Sequence, residues 1–195
     1  MRKLALAALA VMFMSSTALA TDTFMIDGNH SSIGFSVKHM VISKVKGTFG
    51  EFEGMIMYDE ANMKNSSVSV TIKTASISTA NDDRDGHIKG DEFLDAAKHP
   101  EIKFHSTKVM PKGDGFVAVG DLTIRGVTKS VQLPFNFNGV ITDPWGNTRM
   151  GADATLKINR HDFGVSWSEK LDNGGLVVGN EVFIDIQLEA VKKKG

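Results

Sequence analysis

One stretch of the chain has the residue types and spacing of a calcium loop. From Asn81 to Glu92 the sequence reads NDDRDGHIKGDE. The EF-hand pattern, D-x-[DN]-x-[DN]-G-x5-E, finds Asn81, Asp83, Asp85, Gly86 and Glu92 in register, with Asn81 in place of the first Asp. Ile88 falls where such loops carry an apolar residue. A calcium loop of this kind needs an amphipathic helix on each side, because helix packing sets its geometry. The residues before Asn81, SVSVTIKTASIST, instead alternate as a strand does. The calcium reading thereby loses its context. The residues read as a strand-to-helix turn, with Asn81 or Asp82 as N-cap and acidic residues near the helix start.

Other chemistry-bearing patterns are weaker. Gly113-Asp-Gly115-Phe-Val-Ala118 fits a loose dinucleotide fingerprint, but it is a turn between two strands with no βαβ unit around it. Six histidines (His30, His39, His87, His99, His105 and His161) are scattered, with no H-E-x-x-H and no close pair. A metal site would have to be assembled from distant strands. There is no G-x-S-x-G elbow. There is no Cys, which excludes thiol chemistry and Cys-ligated metals. No catalytic constellation emerges.

The elements around these residues have a period of two. Ile33, Phe35 and Val37 alternate with small or polar residues, as do Val68, Val70 and Ile72. Phe116, Ala118, Leu122 and Ile124 share a face; so do Val131, Leu133, Phe135 and Phe137. The same holds for Met150 to Ile158 and for Val182 to Leu188. Strict alternation means strands with one buried and one wet face. About eight such strands can be counted, separated by turn residues at Asp27 to Asn29, Lys112 to Gly115, Asp143 to Asn147 and Asp172 to Gly175. Short connections imply antiparallel neighbours. Glycines at 47, 50, 54, 120 and 139 suggest the bends of a closing barrel. Alternation stops only between Asp82 and Ala97, where Ile88, Phe93, Leu94 and Ala97 suggest a short helical insertion ended by Pro100. The expected fold is all-β: an antiparallel, eight-stranded barrel with one short helical insertion near 82–97.

Residues 1–20, MRKLALAALAVMFMSSTALA, have a basic start, an apolar stretch and an Ala18-Leu19-Ala20 end. That is the composition of a secretory signal peptide cut after Ala20. The apolar stretch is too short to span a bilayer. The expected organisation is a signal peptide over 1–20 and one domain over 21–195, with a periplasmic address. Without Arg2 and Lys3 the chain has 20 basic and 23 acidic residues, a net charge of −3. This is not the basic footprint of a nucleic-acid binder.

Eleven Phe follow residue 20, many on inward faces. An eight-stranded barrel is just wide enough to be filled by side chains or to hold one small ligand. Phe35, Phe49, Phe104, Phe135 and Phe137 are therefore either a packed core or the wall of a cavity. Taken by themselves they fit the core more readily.

An ordered set of stretches resembles the YceI family of periplasmic polyisoprenoid-binding proteins. They are Ile33-Gly-Phe-Ser-Val-Lys-His-Met40, Val45-Lys-Gly-Thr-Phe49 with Phe52-Glu-Gly54, Arg84-Asp-Gly-His87, Gly120-Asp-Leu-Thr-Ile-Arg-Gly-Val-Thr128, Asp143-Pro-Trp-Gly146 and Asn159-Arg-His-Asp-Phe-Gly164. The resemblance implies a lipocalin-like barrel with an elongated apolar cavity. It implies no resident cofactor, but a bound isoprenoid or other amphiphile, such as a polyprenyl lipid or a quinone tail. It also makes Arg84 to His87 a hallmark of the helical insertion rather than part of a calcium loop.

On this reading the candidate liners are Phe35, Val37, Phe49, Val70, Ile72, Phe104, Leu122, Ile124, Phe135, Phe137, Leu156, Ile158 and Ile184. Arg84, His87, Arg125 and Arg160 are candidates for a polar head group at a barrel mouth; Arg125 and Arg160 have Asp121 and Asp162 as alternative partners. The leading function is a non-enzymatic binding protein for transport, storage or stress protection. A quinone-dependent oxidoreductase component beside a membrane cytochrome is the runner-up, with the quinone supplying the chemistry. A metal-binding stress protein is the third. A homodimer is left open.

Overall fold

Along the strand Val127–Thr142, Val131, Leu133, Phe135 and Phe137 are half-buried while Gln132, Pro134, Asn136 and Asn138 are exposed. The alternation read in the sequence thus sorts side chains to the two faces of a curved sheet. The computed structural model describes residues 21–194; the expected signal peptide lies outside them. The strands are β1 (Asp22–Ile26), β2 (Ser32–His39), β3 (Ser43–Phe49), β4 (Phe52–Tyr58), β5 (Ser67–Lys73), β6 (Ile77–Ser78), β7 (Glu101–Lys112), β8 (Gly115–Ile124), β9 (Val127–Thr142), β10 (Thr148–Asn159) and β11 (Val178–Lys192). Among the described residues one α-helix, α1 (Asp82–Lys89), lies between β6 and β7, and a short 3-10 turn, Arg160–Phe163, follows β10.

These segments close into a ring of eight antiparallel positions. β11 pairs with β1 near its end (Met25 opposite Val191) and with β2 earlier (Phe35 opposite Ile184). β1 and β2 are thus two halves of one interrupted staple. β4 and β3 form the next, pairing with β1 and β2 respectively. β5 and β6 form the third, pairing with β4 and β3. β7 to β10 follow in order, and β10 returns to β11. The result is an up-and-down meander closed on itself, which leaves no full-length free edge. The ladder from β9 to β10 ends at Phe135 opposite Ala154, so Pro134 sits just where β9 loses that neighbour and a missing N–H is tolerated.

The core is split rather than continuous. Ile102, Leu122, Ile124 and Phe163 form one buried cluster where β7 starts and β8 ends, with Leu94 packed on it. Phe24, Met150 and Ala190 form another near the start of β10 and the end of β11, with Tyr58 and Phe137 against it. The two clusters plug opposite ends of the barrel. The first is called the helical end below, because α1 and the turn after β10 cover it.

Salt bridges fasten the opposite end. Arg149 donates from Nε to Asp143 at 2.7 Å, from Nη1 to Asp27 at 2.9 Å, and also to Glu189. These partners come from the β9–β10 turn, the β1–β2 connection and β11. The Arg149 bond, first, holds the Asp143 carboxyl well below the usual carboxylate range. The bond to His30, then that to Arg149, lowers Asp27 to about 2.

Candidate binding cavity

Between the two plugs lies a cavity of about 480 Å3, within the range of small-molecule sites. Inward residues of every position in the ring line it. Phe35 and Val37 come from β2, Phe49 from β3, Val70 and Ile72 from β5, and Phe104 from β7. Leu122 and Ile124 come from β8, Phe135 and Phe137 from β9, Leu156 and Ile158 from β10, and Ile184 from β11. Period-two side-chain placement on a closed sheet brings them together. The aromatic rings contact one another: Phe35 and Phe49 have centroids 5.9 Å apart, and Phe137 stacks on Tyr58 at 5.4 Å.

Close backbone approach makes room for these rings. Gly47 lies directly opposite Phe35 on the paired strand. A Cβ at Gly47 would come within 2.5 Å of the Phe35 ring. A Cβ at Gly120 would likewise come within 2.8 Å of Phe104.

The basic residues of the wall gather at the helical end, while Ser31, Ser66, Ser67, Asp153 and Gln187 line it elsewhere. Arg84, His87 and Arg160 line the cavity there, beside His39 and Trp167. His87, Phe93 and Trp167 form an aromatic trio with centroids 4.9 to 5.4 Å apart. Arg84 donates to the Thr79 hydroxyl at 2.7 Å and to the Thr79 carbonyl at 2.9 Å. Arg160 is 5% exposed. It donates to the carbonyls of Gly179, Val165 and Val178 at 2.9, 2.8 and 3.2 Å. Burial lowers its pKa. Neither arginine forms a salt bridge among the described residues, so the cavity end carries two cations without fixed counter-ions.

Arg125 lies elsewhere. Its guanidinium donates to the carbonyls of Gly164 and Asp91, both at 2.6 Å, and it does not line the cavity. It has a positive φ of 49° in the tight β8–β9 turn, which aims the side chain across the rim instead of inward. The expected pairings of Arg125 with Asp121 and of Arg160 with Asp162 are not formed either; backbone carbonyls take their place. The sequence reading missed Trp167 and Phe93. Phe93 reads as a helix-face residue but lies in the turns after α1 ends at Lys89, and the loop holding Trp167 has no periodicity to announce it.

The calcium-like stretch is folded as a capped helix. Asn81 accepts from the Arg84 N–H at 2.9 Å as N-cap. Asp85 is buried and accepts from the Thr79 N–H at 2.8 Å and from the Thr79 hydroxyl. The Thr79 hydroxyl bond is the largest cause of its lowered pKa. Glu92 pairs with His87 at 3.0 Å. The would-be ligands are thus turned apart. Another set of donors, Asp27, His30 and Glu189, does converge. The Arg149 guanidinium already bonds both carboxylates, so a cation is in place there.

A closed antiparallel barrel around an apolar chamber is the architecture of a small-molecule binding protein. The profile of the YceI-like domain family matches residues 24–190, and the chain belongs to that family. It is 38% identical over its full length to a UPF0312 protein of Pseudomonas savastanoi pv. phaseolicola, itself wholly covered. It is similar in fold to Burkholderia cenocepacia BcnA, with a TM-score of 0.74, 25% identity and coverage of 84% of this chain and 98% of that one. A YceI protein of Campylobacter jejuni gives a TM-score of 0.68 at 32% identity, covering 80% and 90%. A polyisoprenoid-binding domain from Saccharophagus degradans, implicated in plant cell wall breakdown, shares the fold at a TM-score of 0.65 and 17% identity, covering 90% and 99%.

Proposed function

We propose that this protein binds a long isoprenoid chain, such as a polyprenyl lipid or a quinone tail, and acts without catalysis. The observation that carries the reading is the chamber itself: about 480 Å3 with an almost wholly apolar wall drawn from every strand position. Apolar burial stabilises a ligand by roughly 25 cal/mol per Å2, so a tail needs no hydrogen bond to be held. The polyisoprenoid-binding domain of the same fold supports the same class of ligand.

The head group sits at the helical end, where Arg160 and Arg84 offer N–H donors with no carboxylate partner. An isoprenoid ending in a phosphate or a carbonyl matches those donors. The protein works in the periplasm, as a carrier or store for a lipid that cannot cross water alone. The Ala18-Leu19-Ala20 sequence supports export, and N-terminal sequencing of exported protein should begin at Thr21.

The direct test is mass spectrometry of lipid extracted from protein purified from its own host. An isoprenoid in stoichiometric amount supports the reading. Repeated extracts without one, together with no uptake of added isoprenoid by delipidated protein, would overturn it.

A further inference from the structure

The connection between β2 and β3 is wholly apolar, whereas the β9–β10 hairpin end, which exposes Ile141 (65%) and Trp145 (80%), has a polar turn tied down through Asp143 and Arg149. Turns at Lys112–Gly115 and Asp143–Asn147 are polar or glycine-rich, apart from Trp145. This one is Met40-Val41-Ile42, and its side chains stand in water at 41, 56 and 88% exposure. Met40 and Val41 both have positive φ, 48° and 66°. Two consecutive left-handed residues without glycine are costly, and a β-branched one especially so. Asn or Gly would fit the turn better. Bulky apolar residues therefore stand at a strained, solvent-facing site, where strain is retained mainly for function.

The surroundings say what the tip fits. Lys38, Lys44 and Lys46 stand exposed on the stems of the same hairpin, and none of them forms a salt bridge among the described residues. Lys38 and Lys44 are direct cross-strand neighbours. Lys44 lies over the exposed Phe183 ring at 5.5 Å. The nearby Glu181 is taken by Lys157 at 2.7 Å. The adjoining loop carries Glu169 and Asp172 against Lys170, so the positive strip is confined to the hairpin. The tip also adjoins the chamber. His39 and Val45, on either side of it, line the cavity, and the Met40 N–H donates to the carbonyl of Val177, another liner, at 2.9 Å.

We infer that the Met40–Ile42 tip docks the barrel on an anionic bilayer. A narrow convex apolar tip offers too little area to bury against another protein, but it can enter the headgroup–acyl boundary while lysines meet anionic lipid. Docking would bring the helical end of the chamber to the surface from which an isoprenoid is loaded; that consequence rests on the function proposed above, while docking does not.

Flotation of delipidated protein with vesicles tests the idea. Vesicles of phosphatidylglycerol and phosphatidylethanolamine should carry the protein up, and added salt should release it; phosphatidylcholine vesicles should not. Ile42→Asp should lower the bound fraction about tenfold or more. Lys44→Glu with Lys46→Glu should do the same, since each lysine near an anionic surface counts for about fivefold. Val41→Asn is the sharper variant: it should raise the melting temperature by relieving the turn and still weaken vesicle binding. Equal flotation of wild type and Ile42→Asp would overturn docking. So would a concentration-dependent dimer abolished by Ile42→Asp without vesicle binding, since the tip would then be covered by a second copy. A vesicle-free assay of uptake of dansyl-labelled geranylgeraniol keeps the two readings apart. Wild type that floats but takes up none of it fails as an isoprenoid binder and still docks. Wild type that takes it up but never floats binds isoprenoid and does not dock.

Discussion

Arg149 and Asp143 form a charge-assisted bond of 2.7 Å at the barrel end opposite α1, with the Asp143 side chain only 4% exposed. The same guanidinium reaches Asp27 and Glu189. One cation therefore ties the β9–β10 turn and the β1–β2 connection to β11. Replacing it leaves three carboxylates crowded together, which costs more than losing one bond.

Arg149→Met should lower the melting temperature at neutral pH by about 5–10 °C. The depressed carboxyl groups, Asp143 and Asp27, contribute stability that is complete above the unfolded value near 3.9 and is lost as pH falls through their folded values. The gap between wild type and variant should therefore shrink between about pH 4 and pH 2. Thermal unfolding across that window checks it. A gap that stays constant down to pH 2 would show that the network does not stabilise the barrel through charge.

Calcium should have no effect on the segment from Asn81 to Glu92. Asn81 is used as a cap, Asp85 is buried on Thr79, and Glu92 pairs with His87. Titrating calcium into chelator-treated protein should change neither melting temperature nor Trp fluorescence. A saturable response at micromolar calcium, abolished by Glu92→Gln, is the contrary result. Asp85→Ala, by contrast, should destabilise by about 1–3 kcal/mol, because it strips the acceptor from two Thr79 donors.

Gly47 and Phe35 are coupled. A Cβ at Gly47 meets both the Phe35 ring at 2.5 Å and the Ser78 carbonyl at 2.8 Å. Gly47→Ala should destabilise by about 1–3 kcal/mol and push the ring into the chamber, weakening ligand uptake. Phe35→Leu should restore part of the loss in the double variant. A double-mutant cycle by denaturant unfolding measures this. Strict additivity would mean that the backbone clash with Ser78, not the ring, sets the cost.

Much of the barrel can be read directly from residue alternation. Strands such as β9 and β10 are long, and their inward and outward residues differ in polarity at nearly every step. β1 and β6 could not be found that way, since five and two residues are too few to show a period. Whether Phe135 and its neighbours fill the barrel or line a void was also not legible. The same apolar side chain suits both, and the difference lies in whether the facing residues reach across. Arg125 lies on the rim and not in the cavity wall, held by the carbonyls of Gly164 and Asp91, and a long side chain beside a tight turn gives no sequence signal for which of the two it takes. Trp167 carries no sequence signal because its loop has no periodicity and is held by Met40, far away in sequence, as well as by the neighbouring Arg160.

Phe135 and Phe137 separate cavity from core. Both line the chamber, Phe135 stacking on Phe116 at 5.5 Å and Phe137 on Tyr58 at 5.4 Å, while Asn136 and Asn138 point outward. A carboxylate placed inward must be desolvated or must draw water in, at a cost of several kcal/mol. Phe137→Asp should abolish isoprenoid retention and weaken the fold. Asn138→Asp should leave both nearly unchanged. Phe135→Ala is the finer probe. Truncating a Phe in a packed core costs about 3–5 kcal/mol. At the wall of a chamber that is already empty, few contacts are lost on the open side, so delipidated Phe135→Ala should lose less than about 3 kcal/mol while its isoprenoid affinity drops. The comparison needs ligand-free protein, because bound lipid adds stability by mass action. A loss of full core size, with no measurable isoprenoid binding by the parent protein, would show that these rings serve packing alone.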